Sequence, residues 1–208
     1  MQLDQIDQKY LKSTIYIIDD DDDILQSLIV FFQLKGFRVK GFSSAVDYLK
    51  DLDDTQGCLI SDVSMPEMNG IELLEKLNTA QQLRPALLIT GVATVNIAVK
   101  AMQLGAADFI EKPFLTDYLL SKVLEILEGF EQTFSAFNDY KDLTKREAQI
   151  FDLVAQNLSN QQISEKLFIT ISTVEKHRSA MMKKMKFDSL GELIQKHAQL
   201  NKVLNRTQ

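Results

Sequence analysis

Three observations predict an α/β doubly wound parallel five-stranded sheet followed by an all-α helix-turn-helix domain. Apolar runs of strand length alternate five times with segments of helical periodicity, which the right-handed crossover rule turns into a parallel sheet of order 2-1-3-4-5. Four of these runs end in polar side chains of matching chemistry. The charge is also divided: residues 1–140 carry 11 Lys and Arg against 22 Asp and Glu, and residues 141–208 carry 12 against 7. The formal net charge of -6 hides an acidic module joined to a basic one suited to a polyanion.

The first strand is Ile15-Tyr16-Ile17-Ile18, and it runs into five carboxylates, Asp19 to Asp23. Ile24, Leu28, Phe31, Phe32 and Leu34 then recur at three and four residues, and Gly36 stops that helix. Phe37 to Phe42 alternates as a short strand, and Ala45, Val46 and Leu49 mark the second helix. Cys58-Leu59-Ile60 is the third strand and ends at Ser61-Asp62; Ile71, Leu74 and Leu77 stripe the helix after it. Ala86 to Ile89 ends at Thr90-Gly91, and Val95, Ala98, Val99 and Met102 are the expected inner face of the fourth helix, ended by Gly105. Phe109-Ile110-Glu111 ends at Lys112-Pro113. A long helix follows, with Leu119, Val123, Ile126, Leu127 and Phe130 on one face; Phe134 and Phe137 extend it beyond Gly129.

Ligands of open parallel sheets bind at the carboxyl ends of the strands. Those ends bring together several Asp, the Thr90 hydroxyl and Lys112. Hard oxygen ligands with water in the remaining positions suit magnesium handling a phosphoryl group, and an Asp can accept that group covalently when cations neutralise its oxygens. An acidic run alone is usually a solvated loop. Four matching strand ends in order argue otherwise.

At these residues the chain resembles the receiver domain of bacterial two-component response regulators, whose sheet is flavodoxin-like. The matching blocks are Ile17 to Asp20, Ser61 to Gly70, Ile89 to Gly91 and Asp108 to Phe114, within roughly the first 115 residues. The resemblance implies that Asp62 is the phosphoacceptor and that Asp20 binds Mg2+ directly, with Mn2+ as a possible substitute. Asp19 would act mainly through water, Asp62 and the backbone carbonyl of Ser64 completing the protein ligands. Lys112 would pair with the phosphoryl group, Thr90 would donate its hydroxyl to it, and Phe109 holds the aromatic switch position. A cis peptide before Pro113 is expected. The same resemblance implies pairing of receivers through the fourth helix, fifth strand and fifth helix, residues 94–128.

The basic end opens with Thr144-Lys145-Arg146-Glu147, a capping box, and Ser159-Asn160-Gln161-Gln162 repeats the device. Ile150, Val154 and Leu158, then Ile163 and Leu167, then Val174, His177, Met181 and Met185 form the inner faces of three short helices. Two of these, joined at Phe168-Ile169-Thr170, form a helix-turn-helix candidate whose second helix would enter the major groove; on pattern alone a helical dimerisation module is the alternative. Leu143 to Glu147, Leu158 to Asn160, Thr173 to Arg178 and Lys183 to Met185 resemble the LuxR-type DNA-binding domain. With the receiver, that points to the NarL/FixJ class of response regulators. Asn157 and Ser164 depart from the family's frequent Gly and Ala.

On the second helix, the apolar positions must face inward, which leaves Glu175, Lys176 and Ser179 for base edges. Thr173, Arg178, Lys183 and Lys184 are the phosphate contacts that position without reading sequence. His177 stands at a boundary and either packs or faces DNA. Two histidines without a Cys/His cluster give no zinc site. The expected domains are a receiver at 1–128, a helical linker at 129–141 and the DNA-binding domain at 142–208.

The expected function is a transcription factor, not an enzyme, in which a sensor histidine kinase phosphorylates Asp62. A homodimer then forms and binds double-stranded DNA, with RNA polymerase a possible further partner. The alternative is a metal-dependent phosphotransferase or phosphatase with an Asp nucleophile, but it lacks an Asp-x-Asp pair at Asp62 and leaves the basic domain without a role. Cys58, the single cysteine, reads as a core residue in a reducing compartment. Met1 to Gln8 shows no signal-peptide pattern and no apolar run approaches the ~20 residues that cross a bilayer, so a cytoplasmic protein without membrane partners is expected.

Overall fold

The structure, a computed structural model, describes residues 6–204 apart from 54, 81 and 83, and of residues 199 and 202–204 the backbone only. The first five residues, on which part of the leader reading rests, lie outside it. The chain divides into two compact units, residues 1–130 and 131–208.

In the first unit, strands β1 (Thr14–Ile18), β2 (Arg38–Phe42), β3 (Gly57–Asp62), β4 (Ala86–Thr90) and β5 (Asp108–Glu111) form one sheet, all neighbours parallel, in the order β2-β1-β3-β4-β5. Successive strand residues point to opposite faces, so each buried strand feeds two cores. Ile15, Ile17, Cys58, Ile60, Leu87 and Ile89 pack with Leu25, Leu28 and Phe32 of α1 (Asp22–Leu34) and with Leu119, Leu120, Val123, Leu124 and Leu127 of α5 (Thr116–Lys141). Tyr16, Ile18, Leu59 and Leu88 pack on the other face with α2 (Ala45–Lys50), α3 (Gly70–Thr79) and α4 (Val95–Gln103).

Packing overturns two expectations. Leu34 does not belong to the buried stripe of α1: it is 82% exposed, and Leu25 takes the inner position. On α4 the stripe is rotated. Val95 is 79% exposed and Val99 and Met102 are exposed as well, while Ala101 is buried and Ile97 and Leu104 pack on the second core. Both faces of this helix carry apolar residues, so periodicity could not tell the core face from the outer one.

One buried charge lies away from the strands' carboxyl ends. Arg84 sits 3.7 Å over the Tyr16 ring and donates to the Tyr48 hydroxyl, the Asp53 carboxylate and the carbonyls of Asp53 and Thr55. Tyr16 donates to the same carboxylate at 2.6 Å. Pairing of this kind is what allows a buried guanidinium.

The second unit contains the end of α5 and helices α6 (Lys145–Ala155), α7 (Asn160–Leu167), α8 (Ile171–Lys184) and α9 (Leu190–Leu204). Both expected capping boxes are formed, Thr144 with Glu147 and Ser159 with Gln162. Ile150, Val154, Ile163, Val174, Met181 and Met185 are buried as the periodicity implies. The aromatic centre was not foreseen: Phe151 is fully buried among Tyr140, Phe187 and His197. Ala136 and Phe137, on the last turns of α5, are also buried.

Candidate functional site

The parallel register places the polar strand ends at one level. Ile18 lies opposite Ser61, Asp62 opposite Ile89, and Thr90 opposite Glu111. Asp19, just after β1, and Asp62, which ends β3, are 3% and 5% exposed, and Thr90 is fully buried. Lys112, just after β5, joins the two carboxylates: its Nζ lies 2.7 Å from Asp19 Oδ2 and 2.6 Å from Asp62 Oδ1. The Ser64 amide donates to Asp62 Oδ2, and the Asp21 amide to Asp19 Oδ1 at 3.0 Å. The Lys112-Pro113 peptide is cis.

Close backbone approach supports this corner. The Gly70 amide donates to the Val63 carbonyl at 3.0 Å, and a Cβ at Gly70 would fall 2.5 Å from the Asp62 carbonyl oxygen. Only glycine lets α3 begin this close to the end of β3. Its N-cap, Asn69, forms a reciprocal capping box with Glu72.

Electrostatics follow from burial. Desolvation raises the Asp19 carboxyl above its ordinary range, although hydrogen bonds from Lys112 and the Asp21 amide work against it. Burial opposes charge on Lys112, but hydrogen bonds to Asp19 and Asp62 outweigh that and hold its ammonium above the usual value. One ammonium between two buried carboxylates leaves a negative balance.

Other expected residues sit apart from this contact. Asp20 is exposed, as are Asp21, Asp22 and Asp23; Asp21 instead caps α1 by accepting from the amides of Asp23 and Ile24. Thr90 Oγ1 accepts from the Val92 amide at 3.2 Å and so bonds its own loop. Phe109 is partly buried against the second core. Among the described residues, no three acid, imidazole or thiol side chains gather closely enough to hold an ion by themselves. The donor set still fits a hard cation such as magnesium, which takes one or two carboxylates and keeps several waters.

In the second unit, Thr170 caps α8, and Glu175, Lys176, Ser179 and Lys183 are exposed along it. Thr173 is half-buried and its hydroxyl bonds that of Thr170 at 2.8 Å. Arg178 donates to Asn160 Oδ1 at 2.9 Å, tying α8 to the start of α7. His177 is half-buried. Lys184 is engaged internally by the Glu147 carboxylate at 2.7 Å and by the Asp142 carbonyl. That ion pair, then the Thr144 amide, lowers the Glu147 carboxyl to about 2. Sequence reasoning found Glu147 as a capping residue but missed this second use, because its partner lies 37 positions away.

The response regulator receiver domain model matches residues 15–124, and the model of bacterial regulatory proteins of the luxR family matches residues 141–197. The response regulator protein TmoT of Ectopseudomonas mendocina is 39% identical over 88% of this chain and 87% of its own length. The transcriptional regulatory protein FixJ of Rhizobium meliloti is 36% identical over 87% of this chain and 93% of its own. The crystal structure of full-length FixJ from B. japonicum superimposes with a TM-score of 0.53 at 34% identity, covering 92% of this chain and 98% of that one.

Proposed function

The chain belongs to the response regulators that join a receiver domain to a LuxR-type DNA-binding domain and regulate transcription, and on that premise we propose that phosphorylation of Asp62 by a sensor histidine kinase controls its dimerisation and DNA binding. The observation that carries this reading is the contact of Lys112 with Asp19 and Asp62 at the carboxyl ends of the sheet.

In the proposed step, an Asp62 carboxylate oxygen attacks the phosphorus of a phosphohistidine. The bond to the imidazole nitrogen breaks, and that nitrogen leaves with the electron pair and takes a proton. Asp19, Asp20, Asp62 and the Ser64 carbonyl would hold Mg2+, or Mn2+ in its place. When bound, the ion neutralises the oxygens of the transferring group. Lys112 supplies the second positive charge, and the Thr90 hydroxyl exchanges its loop contact for a phosphoryl oxygen, freeing space for the Phe109 ring. Because the acceptor is the protein's own aspartate, we do not class the chain as an enzyme. The phosphotransferase alternative is not favoured: its relatives are regulators, and it leaves the luxR-family match unused.

We place the receiver at 1–128, the helical linker at 129–141 and the DNA-binding domain at 142–208. Glu175, Lys176 and Ser179 read base edges, while Thr173, Arg178, Lys183 and Lys184 meet phosphates. RNA polymerase is a further partner. No described helix is long and apolar enough to cross a membrane, and we assign the protein to the cytoplasm. The exposed Val95, Val99 and Met102 support pairing of receivers through α4, β5 and α5. Incubation with a small acyl phosphate and magnesium tests the central step. The intact mass should rise by one phosphoryl group in the native chain and stay unchanged in Asp62→Asn; equal labelling of both would overturn the assignment.

A further inference from the structure

The corner between α7 and α8 exposes two large apolar side chains that the proposed function leaves without a role. Phe168 caps α7 with left-handed backbone, φ 54°, and is 94% exposed. Ile171, the first residue of α8, is 45% exposed. Left-handed backbone commonly closes a helix but is costly for a residue with a Cβ, and glycine is the usual occupant. A phenylalanine this exposed returns nothing to the core. Between the two, Thr170 is already committed, its hydroxyl accepting from the Thr173 amide and bonding the Ser172 and Thr173 hydroxyls. The start of α8 therefore presents hydrocarbon.

That end of the second helix is the one whose residues contact base edges when a helix-turn-helix docks in the major groove. Base edges there offer one apolar group, the C5 methyl of thymine. Lys166 and Lys176, both exposed, flank the pair in sequence, and the Arg146 guanidinium donates to the Leu167 carbonyl beside it. Exposed Glu165 and Glu175 adjoin these lysines, so the surface around the pair is mixed in charge, and the lysines can position phosphates there.

We propose that Ile171 and Phe168 form an apolar reader of thymine methyl groups, adding A·T preference at the edge of the half-site contacted by Glu175, Lys176 and Ser179. The inference rests on the DNA-binding reading above and extends it to Ile171, one turn before Glu175 on the outward face of α8, and to Phe168 ahead of that helix.

The test uses the full chain with a beryllofluoride mimic and magnesium. A preferred duplex is first selected from random DNA, and each thymine is then replaced singly by uracil, which removes only the methyl. At one or two positions the native chain should lose affinity about fourfold, the factor expected for one buried methyl. Ile171→Ala or Phe168→Gly should bind the thymine duplex more weakly by a similar factor and become indifferent to uracil at that position. Phe168→Gly should also raise the melting temperature, because glycine relieves the left-handed strain; a purely structural residue would lose stability instead. Discrimination kept by both variants, a selected half-site lacking thymine, or a native chain indifferent to uracil everywhere would overturn the inference and leave the apolar pair to a protein partner. Failure to select any duplex would overturn the DNA-binding reading as well.

Discussion

Lys112 gives the acidic pocket its stability as well as its proposed chemistry. Two carboxylates that are almost wholly buried share this one ammonium, so Lys112→Ala should destabilise the first unit by about 1–3 kcal/mol, the penalty of leaving charged groups without a partner. Urea unfolding measures it, and magnesium should restore part of the loss by replacing the missing charge. The exposed acids divide differently. Asp20→Ala should weaken magnesium binding and phosphorylation, while Asp22→Ala and Asp23→Ala change little, because only Asp20 adjoins the pocket residue Asp19 in sequence. Equal losses in magnesium titrations of all three would mean a diffuse acidic patch. Cys58 belongs to a different class: burial pushes its thiol up to about 12, so maleimide should label it only after unfolding.

Among the elements, α4 and α6 yield contrasting expectations. The outward apolar stripe of α4 contributes little to the core, so Val99→Asp should leave the melting temperature nearly unchanged and abolish activation-dependent dimers. Ala101→Asp should unfold the unit, since Ala101 is fully buried. Sedimentation and melting of the two variants separate the roles. In α6, Glu147 is held down to about 2 by Lys184 and the Thr144 amide. A carboxyl depressed in the folded state stabilises above its ordinary pKa, and that contribution is lost as pH falls from the usual glutamate range toward 2. Unfolding followed between pH 6 and pH 3 should therefore show the second unit weakening with acid, and Glu147→Gln should flatten that slope.

At the scale of the whole molecule, phosphorylation must act through a difference between two states, and coupling of about 1–3 kcal/mol is typical. A beryllofluoride mimic with magnesium should convert mainly monomer to dimer and tighten operator binding between several-fold and about a hundredfold. Lys112→Ala or Asp62→Asn should remove both effects while circular dichroism keeps the native signal. A monomer that nevertheless gains DNA affinity would replace dimerisation with another form of coupling.

The order of elements, the polar strand ends and both capping boxes were legible in the sequence, because each rests on local spacing: alternation for strands, three and four residues for helices, three residues for a capping box. Thr144 and Glu147 needed nothing beyond their own segment. The contact of Lys112 with Asp19, across 93 positions, was legible only through the topology that alternation implies. The inner face of α4 was not, since apolar side chains on both faces give the same periodicity and only packing against the sheet selects Ile97 and Ala101. Nor were the second partner of Glu147 or the aromatic centre around Phe151, contacts between segments whose sequences carry no mark of one another. Residue types and local spacing set which residues could do this chemistry and which helices would start where; which carboxylates were buried together and which apolar faces remained in water followed from packing, because desolvation depends on neighbours that only folding supplies.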